Sequence, residues 1–144
     1  MKTTILETAH LPDVAELERL CFAHPWSEAA LAHLLKEPHF GVVAVEEGRA
    51  LAYAGLSVAL DEGEITNVAT HPQHRRLGLA RAVLTALLSE AKARGLCRIT
   101  LEVRVSNTAA RELYASLGFT PCGTRKGFYS APREDALILE KTIN

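Results

Sequence analysis

The stretch Thr66-Asn67-Val68-Ala69-Thr70-His71-Pro72-Gln73-His74-Arg75-Arg76-Leu77-Gly78-Leu79-Ala80 constrains this chain more than any other. Its first five residues suit a strand, and Pro72 stops it, because proline has no N–H to give to a sheet ladder. A basic turn follows, and Gly78 opens an alanine-rich helix. The N–H groups of a helix's first turn lack partners within the helix, and the aligned peptide dipoles place partial positive charge there. Such an end takes anions, and Arg75, Arg76 and Arg81 add positive charge around it. Gly78 has no β-carbon, so a bulky phosphate can approach the backbone closely. The chain must lead a strand into a basic turn and then a helix, and the turn is built to hold a phosphorylated ligand.

The glycine spacing excludes two common phosphate sites. It is neither G-x-x-x-x-G-K-[ST] nor a G-x-G-x-x-G placed directly after a strand. A net charge of −1 over 144 residues gives no overall basic field for nucleic acid, so the positive charge is local. That length supports one domain, residues 1–144, with a core that needs neither disulfides nor metals. Cys21, Cys97 and Cys122 are odd in number and far apart, which fits reduced thiols in a cytoplasmic protein. Cys97 and Cys122 read as small buried apolar residues. His71 and His74 lack a carboxylate or cysteine at ligand spacing, so no metal is expected. No N-terminal signal or membrane-length apolar run is present, and no membrane partner is expected.

Periodicity divides the rest into a mixed α/β unit, with two helices interrupting a largely antiparallel sheet. Thr3 to Glu7 suits a strand, and Pro12-Asp13 introduces a helix with Val14, Leu17, Leu20 and Cys21 at helical spacing. After the loop His24-Pro25-Trp26, Ser27 suits the N-cap of a second helix reaching Leu35. Phe40 to Val45 and Leu51 to Ala59 form a hairpin, and Glu64 to Thr70 is the strand before the basic turn. Ala80, Val83, Leu84, Leu87, Leu88 and Ala91 make one helical face, ended by Gly95. Ile99, Leu101, Val103 and Val105 alternate with Arg98, Thr100, Glu102 and Arg104, the pattern of a half-buried strand. Ser106 or Asn107 caps a short helix, and strands near Thr120 to Gly127 and Asp135 to Thr142 close the chain.

Arg75-x-x-Gly78-x-Ala80 resembles the R/Q-x-x-G-x-G/A signature of the GNAT superfamily of acyl-CoA-dependent N-acetyltransferases, whose loop cradles the pyrophosphate of coenzyme A. Leu101-Glu102-Val103-Arg104-Val105-Ser106-Asn107, followed by Leu113-Tyr114 and Gly118-Phe119, is similar to the L-E-V-R-x-S-N and L-Y-x-x-x-G-F segments of the bacterial RimI-like group of that superfamily. That group acetylates the N-terminal alanine of small-subunit ribosomal protein eighteen. Pro25-Trp26-Ser27 and Arg133-Glu134-Asp135-Ala136 agree with it too. The resemblance implies a mostly antiparallel twisted sheet flanked by about four helices, with acetyl-CoA as cosubstrate and a protein N-terminus as acceptor. It implies that Val68, Ala69 and Thr70 pair with the pantetheine arm as an added strand would. Arg75, Arg76, Leu77, Gly78, Leu79, Ala80 and Arg81 would wrap the pyrophosphate, and Asn107 would bond the cofactor arm. Glu102 matches the general base, Tyr114 the general acid, and Trp26, Phe128 and Tyr129 the acceptor side.

Those residue types suit the chemistry. An amine attacking a thioester must first lose its proton, and a carboxylate of modestly raised pKa can take it near neutral pH. The thiolate that departs needs a proton, which a phenol within hydrogen-bond reach can return. Direct transfer suffices once both reactants are held, so no covalent acyl-enzyme is required. Three readings stay open: Trp26 as substrate wall or core plug, Asn107 as simple N-cap or ligand contact, and, in place of a protein N-terminus, a small amine or lysine acceptor or an acyl-CoA-binding regulator without turnover. Phe128-Tyr129-Ser130 stands where the group usually carries two tyrosines and a proline, and Gly127 replaces a bulkier polar residue. Both departures are expected to loosen that loop.

Overall fold

The computed structural model describes residues 1–143. Seven strands form one sheet: β1 (Lys2–Ile5), β2 (Phe40–Glu46), β3 (Arg49–Ala59), β4 (Glu62–Thr70), β5 (Arg98–Arg104), β6 (Thr120–Tyr129) and β7 (Glu134–Thr142). Their spatial order is β1-β2-β3-β4-β5-β7-β6. Every neighbouring pair is antiparallel except β4 and β5, which run parallel. A parallel pair needs a long crossover, and the basic turn with its helix supplies it. Four helices flank the sheet: α1 (Leu11–Cys21), α2 (Glu28–Leu31), α3 (Leu79–Ala93) and α4 (Thr108–Ser116).

The sheet separates two cores. One lies under α3 and α4 and joins Leu79, Val83, Leu84 and Leu87 to Ile99, Leu101 and Val103. The other lies under α1 and α2 and joins Val14, Leu17, Leu31 and Leu34 to Val43, Tyr53 and Ala69. The alternation along β5 turns Ile99, Leu101 and Val103 toward α3, which puts Glu102 on the opposite face with α1.

Strand β4 pairs with β5 only from Glu62 to Glu64, against Arg98 to Thr100. Beyond that point each strand keeps its other neighbour: β4 stays on β3 as far as Thr70, and β5 stays on β7 as far as Arg104. The register of β4 on β3 slips between Gly55 and Leu56, where Ile65, Thr66 and Asn67 of β4 span the two. An extra residue in one strand bends it and sharpens its twist. The bulge at Thr66 therefore carries the end of β4 away from β5 and opens a wedge in the middle of the sheet. His71 donates its N–H to the Leu51 carbonyl at 2.8 Å. By the alternation of an antiparallel ladder, Ala69 also spends its polar backbone groups on β3, whereas Val68 and Thr70 present theirs to the wedge. The periodicity of the sequence contains no sign of this opening.

Three further differences from the expected elements have simple causes. The second helix makes one α turn, with the Ser27 hydroxyl accepting from Ala30 N–H at 3.1 Å, and continues as a 3-10 turn over Ala32–Leu35. Cys97 and Cys122 are exposed, not buried: Cys97 lies in the turn that enters β5, and Cys122 lies on the outer strand β6. On α1 the buried stripe is Leu11, Val14, Ala15, Leu17 and Glu18, and Leu20 is 46% exposed. The stripe follows i, i+3, i+4, i+7 from Leu11, and that series places Glu18 inside.

Truncating Leu17 to alanine should cost roughly 2–5 kcal/mol in urea unfolding, the range for a fully buried leucine. Leu20→Ala should stay within about 0.5 kcal/mol of the parent. Equal losses at the two positions would contradict this assignment of the helix face.

Candidate active site

The basic turn carries the features needed to seat an anion. Arg76 and Gly78 both adopt positive φ, 66° and 77°, which reverses the chain so that α3 begins at Leu79. Gly78 is the N-cap and no side chain caps the first turn, so the N–H groups of Leu79, Ala80 and Arg81 point outward unspent. A β-carbon built on Gly78 would meet nothing within 4 Å. That space, above free amides at the positive end of a 15-residue helix, fits a diphosphate. Leu77 projects from the turn, 65% exposed. The Arg81 guanidinium donates to Ser116 Oγ on α4 at 2.9 Å, holding α3 and α4 together across the wedge. Arg75 turns to the other side and donates to Cys21 Sγ at 3.7 Å.

From this turn the wedge runs along β4 toward Glu102. Glu102 Oε1 lies 3.3 Å from Arg125 Nε, with side-chain exposures of 17% and 56%. Burial pushes the Glu102 carboxyl above the ordinary carboxylate range, Arg125 pulls it back in part, and Glu64 on β4 pushes it up again. The net effect is a carboxylate of raised proton affinity facing an open cleft. Tyr114 packs its ring edge-on against Phe119 at 5.7 Å, and burial together with nearby Tyr129 lifts its phenol to about 12. Tyr129 in turn is raised by burial and by the charge of Glu102. Tyr129 thus lies near enough to feel the charge of Glu102, and Tyr114 near enough to feel Tyr129.

The loop joining β6 and β7 is anchored, contrary to expectation. Arg104 donates from Nη1 to Pro132 O at 2.9 Å and from Nη2 to Ser130 O at 3.1 Å, and its guanidinium lies 4.4 Å over the Tyr129 ring. Gly127 adopts φ 60° and gives its N–H to Asp135 Oδ1 at 2.8 Å. The positive φ favours glycine where the strand kinks, and a β-carbon there would press on the Arg133 side chain, 2.9 Å from its Nε. Glu134 accepts from Ser106 N–H at 2.6 Å and from Arg104 at 3.2 Å, which ties the start of α4 to the same loop. Asn107 caps α4 through Oδ1, accepting from Ala110 N–H at 3.2 Å, so its amide NH2 is the end left to meet a ligand. Trp26 packs on the α1-side cluster and keeps part of its surface exposed. Phe128 remains half exposed beside Tyr129, at 5.1 Å between centroids.

Two charged groups in or beside the site escaped the sequence reading. Arg125 sits in an unremarkable polar run, and only the pairing of β6 with β7 brings it over Glu102. Glu18 reads as a surface charge, although its i+7 spacing from Leu11 signalled burial.

The comparison with known proteins agrees with this geometry. The acetyltransferase (GNAT) family model matches residues 11–119. The chain belongs to the GNAT acetyltransferase family. It is 39% identical over 141 residues to the [ribosomal protein bS18]-alanine N-acetyltransferase of Escherichia coli K12, covering 96% of this chain and 95% of that one. The enzyme of the same name from Salmonella typhimurium is 36% identical over 143 residues, covering 98% and 97%. The crystal structure of the Escherichia coli enzyme superposes with a TM-score of 0.90 over 99% of this chain and 95% of that one. The GNAT fold and acetyltransferase class expected from the motifs hold. Among the described residues no cluster could hold a metal ion, and no helix is long and apolar enough to cross a membrane.

Replacing Arg125 by glutamine removes the charge that favours the Glu102 carboxylate, so the Glu102 titration midpoint should move upward. Carbon-13 NMR of the glutamate side chains measures it. An unchanged midpoint would mean that the ion pair does not persist in solution.

Proposed function

We propose that this GNAT acetyltransferase transfers the acetyl group of acetyl-CoA to the N-terminal α-amine of a protein, and that the acceptor is alanine-initiated bS18, as the names of its relatives have it. The observation that carries the proposal is the placement of Glu102, a carboxylate of raised proton affinity facing the wedge between the polar backbone of β4 and the anchored Tyr129 loop.

Acetyl-CoA supplies an activated acyl group as a thioester, and the fold supplies the rest. The free amides of Leu79, Ala80 and Arg81 take the diphosphate, assisted by Arg76. Val68 and Thr70 offer N–H and C=O to the extended pantetheine arm, and their N–H groups are placed to polarise the acyl carbonyl. Ala69 contributes position only, its backbone being committed to β3.

Glu102 takes a proton from the acceptor amine, directly or through a water. Its raised affinity narrows the gap to an α-amine of pKa about 8, whereas a lysine at about 10.4 is a harder donor. Tyr114, held fully protonated by its burial, returns a proton to the departing sulfur. The bolted Ser130–Pro132 loop and Phe128 border the acceptor side as a fixed wall, which suits an extended peptide end.

Thiol release from acetyl-CoA, followed with an alanine-initiated peptide, an internal-lysine peptide and free polyamines, tests the acceptor class. The first should exceed the others in kcat/KM by at least tenfold, and a lysine peptide in first place would overturn the assignment. Glu102→Gln should lower kcat about 10²- to 10⁴-fold, the usual span for a lost general base, with the calorimetric affinity for CoA within about twofold of the parent. Because a base works only when ionised, the parent's kcat should rise with pH through the raised Glu102 pKa, and the variant should lose that limb.

A further inference from the structure

Glu18 on α1 is 0% exposed, yet its partners are three neutral donors. Trp26 gives its backbone N–H to Oε1 at 2.9 Å, Tyr53 its hydroxyl to Oε2 at 2.5 Å, and Asn67 its Nδ2 to the same oxygen at 3.0 Å. No ion pair among the described residues includes it. Burying an uncompensated carboxylate costs several kcal/mol on the general scale for such groups, so stability alone is a weak reason for the arrangement. Its three partners lie on the loop beside α2, on β3 and on β4 next to the wedge.

The Asn67 end is the informative one. Its Oδ1 is buried and has no partner. Rotating the amide by half a turn would bring that oxygen against Glu18 Oε2, two acceptors face to face, so Glu18 fixes which way the amide points. Glu64, the last residue of β4 paired with β5, stands level with Thr100, two residues before Glu102 on β5. The bulge puts both Thr66 and Asn67 on the α1 face: Thr66 Oγ1 stands over Gly55 beside Leu34, and Asn67 reaches Glu18. Glu102 lies on that same face, across the gap. An orphaned acceptor oxygen thus lies on the strand that borders the wedge, on the sheet face that carries Glu102.

We propose that Asn67 Oδ1 is a binding group for the acceptor amine, receiving one of its hydrogens while Glu102 takes another, and that Glu18 is a positioning residue that sets the Asn67 amide and the Trp26 loop together. The assignment rests on the amine-acetylation reading above and adds to it the residues that orient the amine. Glu18 touches neither reactant.

The test uses the full chain and the best acceptor found for the parent. Asn67→Ala should raise the acceptor KM about tenfold, the factor for one hydrogen bond, with calorimetric CoA affinity within twofold of the parent. Glu18→Gln presents an NH2 where one carboxylate oxygen stood, and should produce the same acceptor-specific rise. The double variant should be no worse than the poorer single one, since both act through one contact. Trp26 is the sole tryptophan, so its fluorescence on peptide titration reports acceptor affinity without turnover, and both variants should weaken that signal's midpoint. Acceptor KM and midpoint within twofold of the parent in Asn67→Ala would overturn the proposal. So would equal losses in CoA and acceptor affinity, the sign of a merely structural role. Should Glu18→Gln fail to fold, Asn67→Ala alone still decides. A parent that acetylates only non-peptide amines refutes the protein acceptor and leaves the Asn67 test in force with that amine.

Discussion

The parting of β4 from β5 after three paired residues governs everything else in this molecule. An intact parallel pair would bury the polar backbone of both strands and leave no room between them. The extra residue at Thr66 breaks the pairing, and the ladder that β4 keeps with β3 decides which amides face the gap. Helices close the two faces of the sheet but not the gap itself. The uncapped start of α3 stands at one end of the opening and the carboxylate of Glu102 at the other. A cofactor with a diphosphate at one end and a reactive thioester at the other matches that layout in both chemistry and order.

Much of this was legible in the residues because local signals and tertiary demands coincide. Proline at the end of β4, glycine at the start of α3 and the alternation of β5 are set by backbone geometry, and each appears where it was expected. The side on which Glu102 lies follows from period two alone. The wedge was not legible, since a bulge depends on how two distant strands are registered and no residue at Thr66 announces it. The grip of Arg104 on the Ser130–Pro132 loop and the ion pair of Arg125 with Glu102 also join segments far apart in sequence. The two cysteines misled because thiol burial is a tendency of residue type, and here the turn before β5 and the outer strand override it.

The electrostatics of the cleft are divided in a useful way. Glu102 is raised by burial and by Glu64, so it holds protons more readily than a surface glutamate, yet Arg125 keeps part of its charge. Tyr114 is pushed the other way in function: its phenol at about 12 stays protonated throughout the neutral range. In the reaction proposed above, the first group accepts a proton and the second gives one. Both settings arise mainly from desolvation, Tyr114 within the core under α3 and α4 and Glu102 on the opposite face of the sheet.

The kink in β6 between Arg125 and Tyr129, where Gly127 takes a positive φ, has a consequence beyond the loop it shapes. β6 is the outermost strand of the sheet and is exposed along most of its length, a free border to which a neighbouring chain could zip. Pro121 has no amide N–H to give, Lys126 puts an exposed charge on the strand, and the kink spoils the straight run that cross-β stacking needs. The distortion that sets Phe128 beside Tyr129 therefore also makes β6 a poor template for edge-to-edge pairing.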